Sequence, residues 1–240
     1  MKYMGSKNRI AKEILPIILK DRKIGQWYVE PFCGGCNSLD KVSDYRIAND
    51  NNKYLIAMFK ELQNGWIPPE YVDENLYNEI KNNKENYPDC LVGYIGFNLS
   101  FGAKWFGGYR RDKVGQKNNV ENMKNQSKRA YNSVIEQSKM LENVVFYNKN
   151  FWELEIPPCS IIYCDPPYEG TTKYKDNFDH EKYWNWVRKM SKKGHKVFCS
   201  EYNAPEDFIC IWEKEVTTGL DTSTTKKDIE KLFVYNINLL

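Results

Sequence analysis

The sequence predicts an α/β protein built on an open, doubly wound, mostly parallel sheet with a mainly helical lobe inserted in it. Three observations carry this. Short apolar runs ending on Gly, Pro, Asn or Asp alternate with amphipathic stretches over residues 1–63 and again over 144–240. That alternation stops over 64–143, where a helical pattern surrounds a glycine- and aromatic-rich middle, Gly93–Phe97 and Trp105–Tyr109. A chain of 240 residues is also long enough for one substantial core and such a lobe.

Each element follows from its local pattern. Ser6–Lys20 places Ile10, Ile14 and Ile18 on one helical face. A strand over Trp27–Val29 runs into Glu30-Pro31-Phe32, and a second over Arg46–Ala48 runs into Asn49-Asp50. A helix over Asn52–Leu62 follows. The lobe closes with a long basic helix, Asn118–Leu141, that leads back to a strand over Val144–Tyr147. Ile161–Cys164 is an apolar strand ending on Asp165. Asp179 caps a helix that runs to Lys193 and stops at Gly194. Strands over Lys196–Ser200 and Leu232–Ile237 complete the sheet, with Thr222–Lys227 as a polar loop.

Composition narrows the function. With 41% hydrophobic and 28% charged residues the chain is not a disordered tail. Its longest apolar stretch, Ile14–Leu19 around Pro16, is too short to span a bilayer. No apolar signal core follows Lys2 and Lys7, so export is not expected. Seven cysteines form no even framework, which fits a reducing, intracellular compartment. The net charge of +3 is unevenly spread. Residues 100–139 hold nine bases against three acids, a net +6, so the remainder carries −3. A mildly acidic body with one basic segment suggests a polyanionic partner.

Three motifs carry chemistry. In Ile161-Ile-Tyr-Cys-Asp165-Pro166-Pro-Tyr168 a buried strand delivers an acid, two prolines and an aromatic to its carboxyl end, where open α/β sheets place ligands. The prolines stiffen the turn and remove two N–H groups. Asp165 and the Pro166 carbonyl can then accept both hydrogens of one amino group, with Tyr168 offering a flat face to a planar ring. In Glu30-Pro-Phe32-Cys-Gly34-Gly-Cys36 a strand enters a glycine turn that lets a ligand approach the backbone. It lacks Gly-x-Gly-x-x-Gly, which disfavours a pyrophosphate ligand. Cys33 and Cys36 spell C-x-x-C without a second pair, which makes zinc improbable and leaves a redox pair open. Asp50, at the end of the next strand, suits ribose hydroxyls. Lys2-Tyr3-Met-Gly-Ser-Lys7 opens the chain with an aromatic, a glycine and a cation ahead of a helix. No metal-ligand spacing is present, and His180 and His195 read as surface residues.

Together these segments resemble the Dam-like, D12-class (alpha group) DNA adenine N6-methyltransferases, over nearly the whole chain and in the same motif order. The resemblance implies a Rossmann-like methyltransferase sheet over 1–63 and 144–240 and a target-recognition domain over 64–143. It implies S-adenosylmethionine as cofactor, and duplex DNA carrying a short adenine-bearing site as substrate, with the adenine flipped out. Asp165, Pro166 and Tyr168 would be catalytic. Tyr3, Lys7, Glu30, Phe32, Gly34, Asp50, Asn150, Phe151 and Asp165 would bind the cofactor. Two positions depart from the family: Cys36 stands at its second loop glycine, and Asn150 at the acid that accepts from the cofactor's adenine.

DNA affinity is expected from Lys104, Tyr109, Arg110, Arg111, Lys124, Lys128 and Arg129. Trp105, Phe106 and Tyr109 suit either a wedge beside the flipped base or a small core for the lobe. A monomer or weak dimer in a bacterial or phage-infected cytoplasm is expected, with a restriction partner left open. An RNA N-methyltransferase and a non-catalytic nucleic-acid-binding relic are the competing readings.

Overall fold

The computed structural model describes residues 1–111, 120–169, 178–218 and 226–236, and their side chains except those of 120–125, 217–218 and 226–227. Seven strands form one sheet: β1 Tyr28–Glu30, β2 Arg46–Asn49, β3 Val144–Tyr147, β4 Ile161–Cys164, β5 Lys196–Glu201, β6 Phe208–Thr218 and β7 Lys226–Tyr235. Their order is β3-β2-β1-β4-β5-β7-β6. The first five are mutually parallel, and β7 lies antiparallel between β5 and β6. Strand order reverses between β1 and β4, so the crevice for a ligand opens outside the carboxyl ends of those two strands.

Alternate side chains of each strand enter opposite layers. Tyr28, Ile161 and Tyr163 join one apolar cluster, while Val29, Ile162 and Cys164 join the other. Burial on both faces explains why these strands read as continuous apolar runs.

The helices are α1 Ala11–Ile18, α2 Lys53–Gln63, α3 Glu74–Asn82, α4 Asp89–Asn98, α5 Val120–Met140 and α6 His180–Lys192. Asn52 caps α2 by accepting the N–H groups of Tyr54 and Leu55, and Asp179 caps α6 by accepting that of Lys182. Residues 64–143 do not stand apart from the sheet. α4 is buried over Val92–Asn98 and lies so close to α2 that a Cβ on Gly93 would fall 2.1 Å from the Tyr54 carbonyl oxygen.

Three expectations need correction. The first helix is shorter than Ser6–Lys20, because Lys7–Arg9 forms a 3-10 turn before Ala11. Lys226 and Lys227, expected in a polar loop, belong to β7, and residues 222–225 of that loop lie outside the described residues. β6 was not expected at all. It is an edge strand with Ile209 and Ile211 exposed and a register shift between Cys210 and Trp212, so neither a buried run nor a clean alternation marks it.

Candidate active site

The carboxyl end of β4 delivers Asp165 to the crevice. Its Oδ1 lies 3.2 Å from the Nζ of Lys7, a lysine whose side chain is only 8% exposed. The same ammonium reaches Glu230 of β7 at 3.3 Å, and Glu230 accepts a 2.7 Å hydrogen bond from the Tyr168 hydroxyl. Lys7 also lies 4.3 Å from the centre of the Tyr168 ring. One cation, two carboxylates and a phenol thus close on one another.

The chain arranges this locally. Ser6 accepts the N–H of Asn8 and starts the 3-10 turn that carries Lys7. β7, inserted antiparallel beside β5, turns Glu230 inward on the same face as Leu232. Burial works to lower the Lys7 pKa, but Asp165 and Glu230 outweigh it and hold the ammonium charged. Burial pushes Asp165 up to about 6; Lys7 opposes the rise and Glu230 adds to it. Asp165 therefore stays ionised at neutral pH.

Glu201, at the end of β5, braces the segment beyond Tyr168. Its carboxylate accepts the N–H groups of Glu169 at 3.0 Å and Tyr202 at 2.8 Å, and burial lifts it to about 7. The Tyr202 ring meets that of Tyr168 in a T-shaped contact at 4.7 Å.

The loop after β1 is tied to the end of β2. Cys33 donates its N–H to the Asn49 carbonyl at 2.8 Å. Asp50 takes the N–H of Gly34 on one carboxylate oxygen at 3.1 Å and that of Asn52 on the other at 2.9 Å. Burial raises the Asp50 pKa against these two bonds. Glycine is required here because Tyr3 lies across the turn: a Cβ on Gly34 would fall 2.7 Å from its ring, and one on Gly35 2.5 Å from its Cβ. Tyr3 in turn packs on Phe97 of α4 at 5.3 Å.

Cys36, where the family has glycine, is fully buried at φ 54°, so the chain keeps the left-handed conformation and accepts the strain of a side chain. Glu30 is buried, accepts the Tyr28 hydroxyl at 2.9 Å, and is lifted by burial to about 8.

The donor set fits S-adenosylmethionine. Each Asp50 oxygen is engaged by one N–H, which leaves an acceptor site on each for a diol. Phe32, partly exposed beside Phe151 at 5.2 Å, offers an aromatic surface for a purine. The Asp165 carboxylate at the end of β4 suits a cationic sulfonium, whereas Glu30 at the end of β1, lifted to about 8, is mainly the neutral acid at neutral pH.

Asn150 and Phe151 also have local partners. Asn150 is exposed and caps the 3-10 turn Phe151–Glu153, its amide donating to Glu153 at 3.0 Å. Phe151 is buried against Phe32, Tyr183 and Trp186.

In the lobe, Phe106 and Tyr109 are buried, and the Tyr109 hydroxyl donates to the Val72 carbonyl at 2.6 Å. Trp105 packs on Phe97 and Tyr54. These aromatics form the lobe's core, and of the two roles open to them the wedge is the one to set aside. Arg111 bonds Glu74, Lys128 lies 3.2 Å from Glu70, and Lys104 and Arg129 are exposed. The side chain of Lys124 lies outside the described residues.

Glu230 and Glu201 were missed in the sequence. Strand alternation, which places Glu230 and Leu232 on one face, is the signal that finds the first. Cys33 and Cys36 are free, and burial pushes both thiols up, the opposite of what a reactive redox pair needs. Among the described residues no three His, Cys, Asp or Glu side chains group to hold a metal, and no helix is long and apolar enough to cross a membrane.

An open α/β sheet with a partly buried, cation-balanced carboxylate beside its switch point has the place where folds of this class hold a ligand, outside the strand ends. The sequence matches the D12 class N6 adenine-specific DNA methyltransferase family over residues 3–227, and the chain belongs to that family. Among solved structures it is similar to SMU.472, a putative methyltransferase complexed with SAH. Identity there is 11%, over 98% of this chain and 54% of that one, with a TM-score of 0.38. It is also similar to the putative methylase HI0767 from Haemophilus influenzae, at 11% identity over 96% and 99% of the two chains, with a TM-score of 0.36. The chain spans about half the length of the first of these structures.

Proposed function

We propose that this protein transfers a methyl group from S-adenosylmethionine to N6 of an adenine flipped out of duplex DNA, with residues 64–143 acting in target recognition. The observation that carries this reading is the placement of Asp165, ionised and only partly exposed, at the end of β4 between Lys7 and the Pro166 turn.

When bound, S-adenosylmethionine supplies an electrophilic methyl group on sulfonium. Asp165 and the Pro166 carbonyl accept the two N–H groups of the adenine amino nitrogen. This draws its lone pair out of the purine and stabilises the positive charge that grows on nitrogen. Lys7 keeps Asp165 a carboxylate in a site whose burial favours the acid. Glu230 holds Lys7 and Tyr168 in register, and the partly exposed Tyr168 ring supplies the stacking surface, a contact worth about 1–3 kcal/mol. Asp50 accepts the ribose hydroxyls.

Expression in a host without DNA methylation, followed by single-molecule mapping of the genome, tests the reading. N6-methyladenine at one short sequence is expected. A genome without it would refute the activity.

A further inference from the structure

The cluster at the strand ends holds more negative charge than positive. Lys7 lies 3.2 Å from Asp165 and 3.3 Å from Glu230, and neither carboxylate forms an ion pair with another cation among the described residues. One ammonium against two carboxylates leaves one negative charge over. Lys214 stands directly across from Glu230 in the β6–β7 ladder, but its ammonium bonds Glu13 of α1 instead.

The surrounding acids do not offset that charge. Glu30 is mainly the neutral acid at neutral pH, and Glu201, lifted to about 7, adds part of a further negative charge. Two phenols register the resulting field. Burial, then Asp165 and Glu230, push the Tyr168 hydroxyl well above its ordinary value. Tyr202, whose ring meets that of Tyr168 at 4.7 Å, is pushed up to about 12 by burial and then by Glu230, Asp228, Glu201 and Asp165. All four of those charged groups are acids.

Such a field distinguishes the two forms of the cofactor. S-adenosylmethionine carries a sulfonium, whereas the S-adenosylhomocysteine left after transfer carries a neutral thioether. They differ by one methyl group and one positive charge. The methyl group must reach the amino nitrogen that Asp165 holds, so the charge that tells them apart comes close to the cluster.

We propose that Glu230 is a specificity-determining residue, whose negative charge shifts binding toward S-adenosylmethionine and away from its neutral product. The inference rests on the mechanism given above and deepens it. Asp165 alone is neutralised by Lys7 and leaves no net charge to discriminate. Glu230, on the far side of Lys7, restores that charge while the Asp165 oxygens remain for the adenine amino group. At an effective dielectric constant of about 20, a unit charge about 10 Å away changes the affinity for a cation by about tenfold.

The test is calorimetric binding of S-adenosylmethionine, S-adenosylhomocysteine and sinefungin, an analogue with an ammonium in place of the methylsulfonium. Glu230→Gln removes the charge and keeps an acceptor for the Tyr168 hydroxyl. It should weaken S-adenosylmethionine and sinefungin by about three- to tenfold and leave S-adenosylhomocysteine within about twofold. Glu230→Asp, which keeps the charge, should retain most of the wild-type ratio. A measurement on the wild type needs no variant to fold. Its ratio should move toward the product as pH falls through about 7 and then about 6, where Glu201 and Asp165 take up protons. A ratio unchanged in Glu230→Gln, or a wild-type ratio flat across that range, overturns the inference while cofactor binding stands. A wild type that binds none of the three ligands overturns the cofactor reading itself.

Discussion

The strand ends and the inserted lobe handle charge in opposite ways. At the strand ends Lys7, Asp165 and Glu230 are largely withdrawn from water and balance one another within about one hydrogen-bond length. In the lobe, Lys128 and Arg111 meet Glu70 and Glu74 at the surface, where solvent screens each pair. A buried group has no substitute partner, so removing one leaves an uncompensated charge. A surface group exchanges its partner for water, or for a phosphate. The first region is therefore built to hold a geometry, and the second is free to trade its ions for a ligand.

The contrast predicts its own hierarchy of effects. The largest belongs to Lys7→Met, which leaves Asp165 and Glu230 facing each other. Breaking a buried pair from one side costs roughly 3–5 kcal/mol. Thermal or urea unfolding should show that loss, and one of the two carboxylates should take up a proton. A variant as stable as the wild type would mean that the network is far wetter than the structure shows.

Next comes Asp50→Ala. At about a hundred times Kd, a ligand raises stability by about 2.7 kcal/mol. The variant should lose most of the shift that S-adenosylmethionine produces. The quantity to compare is the shift and not the melting temperature itself, since Asp50 also ties the Gly34 and Asn52 N–H groups. An unaltered shift removes Asp50 from the cofactor site.

The smallest effect belongs to Lys128→Ala. Its pair with Glu70 is more than half exposed on both sides, and exposed pairs contribute about 0–1 kcal/mol. A loss well above 1 kcal/mol on denaturation would place that pair in the lobe's scaffold and erase the contrast drawn above.

The same contrast explains what was legible in the sequence. β4 matches expectation at both ends, and β1 and β2 within a residue, because every one of their residues is buried. β3 also matches at both ends although it is an edge strand with Val145 exposed, and β5 within a residue. Asp165, Asp50, Gly34 and Lys7 could be singled out as candidates because each sits in a contiguous motif whose chemistry is local. Glu230 was not, because it becomes a site residue only when β7 pairs antiparallel with β5, a long-range event that its neighbours Lys231 and Asp228 do not announce. The direction of Tyr109 was equally hidden: its partner Val72 is remote in sequence. Asn150 shows the converse, a motif position whose side chain is taken by a local cap.

On the proposed mechanism Asp165 acts on the amino group in the transition state and adds little to DNA binding. Single-turnover methylation of a duplex carrying the mapped site, measured for the wild type and Asp165→Ala beside a binding assay on the same preparations, tests it directly. Removing a preorganised partner of developing charge slows the chemical step by about 10²–10³, so the variant should bind DNA normally and transfer methyl groups that much more slowly. Asp165 is held at about 6 and must be a carboxylate to accept. The wild-type rate should therefore be flat above that pH, fall as pH drops through it, and lose this acidic limb in the variant. Wild-type rates in Asp165→Ala, with the acidic limb intact, would contradict the account.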